Sequence, residues 1–156
     1  MPRVLTLELQ QDIAANAGLV WNVISNIAEA PRYMSGIVAT QILSKPEEGL
    51  LGLRWKETRV LYGKQADEIL EIIEVVPKKS YTVVAFNHGM RYHSRMQVIP
   101  KDSLSILKMS FTATPKTLSA KIMSNVMWPF IRKSMNTILL QDLRDIKKQA
   151  EQLACH

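Results

Sequence analysis

The chain has 156 residues, 47% of them hydrophobic and 22% charged, which suits one domain, 1–156, with a sizeable core. No apolar run approaches the ~20 residues of a membrane-spanning helix. The single cysteine, Cys155, excludes an internal disulfide framework and fits a reducing cytoplasm. A formal charge of +6 permits attraction to nucleic acid, anionic lipid or an acidic ligand. The lysines and arginines are spread along the chain without a recognition motif, so nucleic-acid binding is not expected.

"MPRVLTLELQQD" alternates and soon turns polar, so it reads as a strand and not as a signal peptide. Within it, Val4–Gln10 places Leu5, Leu7 and Leu9 on one face. Leu19, Val20, Val23, Ile24 and Ile27 then recur at helical spacing and predict a short amphipathic helix. "AEAPRYMSG" is a second short helix or turn, with Pro31 suited to a first turn and Gly36 to a stop. Ile37–Ser44 is strand-like, "KPEEGLLG" is a loop, and Leu53–Gly63 is a strand ended by glycine.

Ala66–Pro77 is rich in Glu and Leu, but its crowded Ile69, Ile72, Ile73, Val75 and Val76, stopped by Pro77, predict a strand. "SYTVVAFN" and "RYHSRMQVIP" are two strands joined around "HGM". In the second, Tyr92, Ser94, Met96 and Val98 should face inward, and Arg91, His93, Arg95 and Gln97 outward. "LSILKMSFTAT" is the last strand, with Leu107, Met109 and Phe111 on one face.

Beyond Pro115 the period becomes helical to the end. Met123, Val126, Met127, Phe130, Ile131, Ile138, Leu139, Leu143, Ile146, Ala150 and Leu153 form one stripe. Lys133, Asn136, Arg144, Lys147 and Lys148 lie off it. Pro129 also lies off the stripe; its ring would clash with the Asn125 carbonyl, which predicts a kink or a fresh helix start. The order is one strand, two short helices, six strands and one long helix. Six strands on short connections demand an antiparallel meander, and the helix must cover one sheet face. The fold class is α+β, order β-α-α-β6-α.

Four stretches, "VWNVISNIAEAPRYMSGI", "GLLGLRWKETRVLYGK", "EIIEVVPKKSY" and "LLQDLRDIKKQAE", resemble successive parts of the START-like, or SRPBCC, superfamily, in its polyketide cyclase/dehydrase-like branch. The resemblance spans nearly the whole chain. It implies a helix-grip fold: a curved seven-stranded antiparallel sheet around the C-terminal helix, with a ligand cavity between them in many members. Members bind lipids, sterols, polyketides or plant hormones; some catalyse cyclisation or dehydration. Such a fold does not by itself give the activity.

On the Leu53–Gly63 strand, Trp55, Glu57 and Arg59 share a face with Leu53 and Leu61, which predicts that they point inward. A slip of one residue would bring Arg54, Lys56 and Thr58 inward instead. Glu57 beside Arg59 is either an acid or base with an anion-holding partner, or a mutually satisfied ion pair near the cavity mouth. Tyr92 either donates to a ligand carbonyl or satisfies nearby backbone. Glu57, Arg59 and Tyr92 are therefore the catalytic candidates. The expected cavity wall adds Trp55, Ser94, Met96, Met109, Phe111, Met123, Met127 and Ile131.

Met34, Met96, Met109, Met123, Met127 and Met135 fall in elements that would surround such a cavity, where methionine adapts to varied apolar shapes or simply fills core. His88 and His93 read as surface residues, and His156 ends the chain. No metal-ligand spacing, nucleophile elbow or glycine-rich phosphate loop occurs, so neither a metal nor a cofactor is expected. Three functions compete: a carrier or sensor of a small hydrophobic ligand, a cyclase/dehydratase-like enzyme, and an interaction module at a membrane surface. The third rests on residues 116–156, which hold seven Lys/Arg against three Asp/Glu.

Overall fold

The computed structural model describes residues 4–61 and 63–155. Tyr62 and His156, both within the readings above, lie outside the described residues. The elements are β1 (Leu5–Ile13), α1 (Ala17–Ser25), a short 3-10 helix (Ile27–Arg32), β2 (Ile37–Ser44), β3 (Arg54–Leu61), β4 (Lys64–Val76), β5 (Ser80–Asn87), β6 (Met90–Lys101), β7 (Leu104–Pro115) and α2 (Leu118–Ala154). The strands form one antiparallel sheet in the order β1-β7-β6-β5-β4-β3-β2. This is the expected meander, with β1 returning to pair with β7, and it is the helix-grip arrangement.

Alternation sets which side chains reach the interior. Leu5, Leu7 and Ile13 of β1 stand on the same sheet face as Leu107, Met109, Phe111 and Ala113 of β7, and all are buried. The inward set of β6, from Tyr92 to Val98, aligns with Tyr81, Val83 and Ala85 of β5. Three irregularities curve the sheet: register shifts between Ile37 and Ala39 and between Ile42 and Ser44 of β2, and one between Ile72 and Glu74 of β4. β4 is a strand despite its Glu-rich composition, because pairing on both sides and the burial of Ile72 override helix propensity.

α1 starts at Asn16, whose side chain accepts from the Leu19 N–H at 2.9 Å, and buries Val20, Val23 and Ile24. α2 starts at Thr117, whose hydroxyl accepts from the Ala120 N–H at 3.2 Å. The turn between β5 and β6 seats this start. Gly89 has φ +75°, and a Cβ there would collide with the Thr117 side chain. The Gly89 carbonyl accepts from Lys116 N–H at 2.7 Å.

The fresh helix start predicted at Pro129 does not occur: α2 is a single helix with Pro129 inside it. Pro129 and Asn125 are both exposed, so water can solvate the carbonyl that the proline leaves unpaired. The predicted stripe also divides. Leu139, Leu143, Ile146 and Ala150 are buried, whereas Met123, Val126, Met127, Phe130 and Leu153 are exposed. In the first half the helix turns Ala120 and Ser124 inward instead. The close approach of Gly89 leaves room only for a small side chain at Ala120, and Trp128 packs against the core further along. No helix among the described residues is long and apolar enough to cross a membrane.

Candidate functional site

The interior between the sheet and α2 holds two adjoining spaces of about 190 and 140 Å³. They share Glu57, Arg59, Leu70, Val83, Ser94, Leu139 and Asp142. The outer one reaches Leu61, Asn87, Tyr92, Met135 and Ile138; the inner one reaches Tyr33, Trp55, Tyr81, Met96 and Met109.

β3 delivers the polar centre. As the alternation predicts, Trp55 and Glu57 are buried and Arg59 points the same way, while Arg54 is exposed. Arg59 Nε donates to Glu57 Oε2 at 2.8 Å. Its Nη1 and Nη2 donate to Asp142 Oδ1 and Oδ2 at 3.2 and 2.8 Å, a two-pronged pair across to α2. Burial alone would lower the Arg59 value, but the charges of Asp142 and Glu57 outweigh it and hold the guanidinium protonated. Burial raises the Asp142 value, with Arg59 opposing. Gly36 makes room for this cluster: a Cβ there would lie 3.1 Å from Arg59 Nη1. The glycine read as a helix stop is thus also the packing gap above the guanidinium.

Of the two readings of Glu57 and Arg59, the geometry is that of the satisfied ion pair, enlarged to three members. Each guanidinium nitrogen already has a carboxylate partner, which makes Arg59 a poor holder of a ligand anion. Asp142 escaped the sequence reading. Its signal was a carboxylate inside the apolar stripe, three residues after Leu139 and beside Leu143. A charge on a buried helix face needs a partner.

Glu68 was missed as well. It lies directly across from Glu57 on β4, lines the outer space, and has its carboxyl raised by burial first and by the Glu57 charge second. In Ala66–Ile73 neither alternating set is wholly apolar, so the pattern could not show which way Glu68 points. Tyr92 lines the same space, stacks on Phe111 with ring centroids 5.8 Å apart, and has its hydroxyl raised by burial and then by Glu68.

Deeper in, Tyr81 donates to the Ile24 carbonyl at 2.8 Å and Tyr33 to the Val23 carbonyl at 3.1 Å. The Tyr33 hydroxyl is pushed up to about 12, by burial first and by Asp142 second. Among the described residues, Trp55 Nε1 and Thr40 Oγ1 are buried and have no hydrogen-bond partner. The Trp55 side chain also lines the inner space.

The structure brings Trp55, Glu57, Arg59, Tyr92, Ser94, Met96, Met109 and Phe111 to these two spaces. Met34 and Met135 join them. Met123 and Met127 do not: both are exposed, because the inward face of that half of α2 belongs to Ala120 and Ser124. Ile131 is half-buried and packs against the core outside the walls of either space. His93 lies on the outer sheet face and His88 is exposed; burial, then Arg91 and Lys116, lower the His93 value. Among the described residues no group of three or more His, Cys, Asp or Glu side chains is placed to hold a metal ion.

Comparison with known proteins follows this geometry. No curated protein matches the sequence. Among solved structures, a START superfamily protein from Mycobacterium smegmatis superposes with a TM-score of 0.80 at 14% identity, covering 95% of this chain and 98% of that one. The Zhui aromatase/cyclase from Streptomyces sp. R1128 gives 0.78 at 14% identity, covering 96% and 94%. Norcoclaurine synthase from Thalictrum flavum gives 0.73 at 18% identity, covering 95% and 94%. At such identities these likenesses show the fold. A family profile described as "Polyketide cyclase / dehydrase and lipid transport" matches residues 5–151. The chain therefore belongs to the polyketide cyclase/dehydrase and lipid transport family.

Proposed function

We propose that the protein binds a small, neutral, hydrophobic ligand, such as a lipid, quinone or polyketide-like molecule, between the sheet and α2. The observation that carries this reading is an internal space walled largely by apolar side chains, Trp55, Met96 and Met109 among them. Cavities for small molecules have this composition: mostly apolar, with a few polar groups that fix orientation. Charge argues for a neutral occupant. Arg59 is matched by two carboxylates, and Glu68 adds a third acid at the outer space. An anion entering there would meet acids with no free cation on the wall to receive it. The volumes favour a compact ligand, since the pockets that bury drug-sized molecules measure about 300–1,000 Å³.

Thermal shift against a panel of neutral lipids, quinones and aromatic polyketides tests this. A ligand at a hundred times its Kd adds about 2.7 kcal/mol, which raises Tm by roughly 5–10 °C for a chain of this size. Ser94→Phe fills the wall shared by both spaces and should abolish the shift. A shift that persists undiminished in Ser94→Phe places the ligand elsewhere.

A cyclase/dehydratase-like activity is the second reading, favoured by Glu68 beside Tyr92. A carboxyl whose pKa is raised by burial is suited to proton transfer near neutral pH, and a tyrosine hydroxyl in the same space can donate to a keto oxygen. Glu57 and Arg59 then hold the wall together and leave the chemistry to Glu68 and Tyr92. Turnover of a keto substrate that survives both Glu68→Gln and Tyr92→Phe would exclude this mechanism.

A further inference from the structure

The first half of α2 presents an apolar face that no other described residue covers. Leu118, Ile122, Val126 and Phe130 are spaced four apart and form one ridge. They are 75%, 58%, 68% and 70% exposed. Met123 and Met127 widen the ridge on one side. A monomer normally hides a contiguous apolar patch of this kind, and those that remain exposed mark interaction sites.

Charge identifies the partner. Residues 103–141 contain no Asp or Glu. In the same span Lys116, Lys121, Arg132 and Lys133 flank the ridge at both ends. Among the described residues none of the four pairs with a carboxylate. A second copy of the chain is a poor occupant. In a two-fold dimer four cations of one ridge would approach four of the other, more than Glu8, which lines a surface depression with Arg132 and Lys133, can balance. A surface that offers hydrocarbon below a plane of anions satisfies both features.

We propose that the Leu118–Phe130 half of α2 docks on an anionic bilayer, with the apolar ridge in the acyl boundary and the flanking cations at lipid phosphates. The proposal rests on the outer face of the helix and stands whether or not the cavity binds a ligand.

The test is co-sedimentation of the full chain with vesicles of phosphatidylcholine alone, or of equal parts phosphatidylcholine and phosphatidylglycerol. The chain should pellet with the anionic vesicles at low salt and be released at about 1 M salt, where the Debye length is about 3 Å. Val126→Ser/Phe130→Ser should weaken partition at least about tenfold. Arg132→Glu/Lys133→Glu should weaken it at least about fivefold per charge. Circular dichroism checks folding, and Leu118→Ser/Ile122→Ser reads the same ridge if the first pair unfolds. The proposal is overturned if the folded chain stays in the supernatant with anionic vesicles at low salt. It is equally overturned if both ridge variants bind undiminished, or if the chain is a dimer that Phe130→Ser dissociates and vesicles do not. Ser94→Phe, which fills the cavity, should still pellet, separating this proposal from the ligand-binding reading.

Discussion

The two halves of α2 are both rich in apolar residues, yet they meet the protein in opposite ways. From Leu139 to Glu151 the helix is tied down. Leu143 and Ala150 are fully buried, Asp142 grips Arg59, and Asp145 accepts from the Ser35 N–H and hydroxyl. Lys147 donates to the Asp12 carbonyl and Glu151 accepts from the Ala14 N–H. From Leu118 to Phe130 most of the larger apolar side chains face solvent, Trp128 excepted, and the side-chain hydrogen bonds stay within the helix and its cap. The difference teaches that hydrophobicity on a helix does not choose the buried face. The partner surface does: polar clamps and a deep sheet cradle in one half, a tight glycine turn in the other.

The comparison can be broken most severely at the clamp. Arg59→Met leaves Glu57 and Asp142 buried without a cation and should cost about 3–5 kcal/mol, read by denaturant unfolding. Replacing all three members by apolar residues of similar volume should restore most of that loss. Leu143→Ala, at a fully buried position, should cost about 2–5 kcal/mol. Gly36→Ala forces a methyl toward the guanidinium and should cost about 1–3 kcal/mol through overpacking.

Glu68 sharpens the account through pH. Its folded value is raised above the usual glutamate range by burial and then by Glu57. A raised carboxyl stabilises the fold only while it is protonated. That contribution is complete below the unfolded value and is lost as pH rises through the folded one. Glu68→Gln should therefore be more stable than wild type at neutral pH, and the gain should vanish by about pH 4, where the unfolded glutamate also protonates. The smallest effect belongs to the exposed half: Phe130→Ser should change stability by less than about 0.5 kcal/mol. A loss of several kcal/mol there would mean that the ridge packs against the protein in solution.

Much of the fold was legible because strands bury one face. The alternations through Leu5–Leu9, Tyr92–Val98 and Leu107–Phe111 have one apolar set each, so facing followed directly. On β3 the inward placement of Glu57 and Arg59 was legible only through their neighbours Leu53, Trp55 and Leu61. What they bind was not, because Asp142 lies 83 residues from Arg59 along the chain. Glu68 was illegible for a local reason, since its strand mixes acids and isoleucines on both faces. The Met123–Phe130 stripe misled because the helix turns Ala120, Ser124 and Trp128 toward the protein instead. The family resemblance agreed with the fold throughout, and it carried no information on the Arg59–Asp142 clamp.

The central claim is that the space between sheet and α2 holds a small neutral hydrophobic molecule. Native mass spectrometry of the full chain, incubated with neutral lipids, quinones and aromatic polyketides, tests it most directly. The account predicts a one-to-one complex with a neutral member of the panel, absent from folded Ser94→Phe. Ligand-free protein across the panel, or complexes formed equally well by Ser94→Phe, would contradict it.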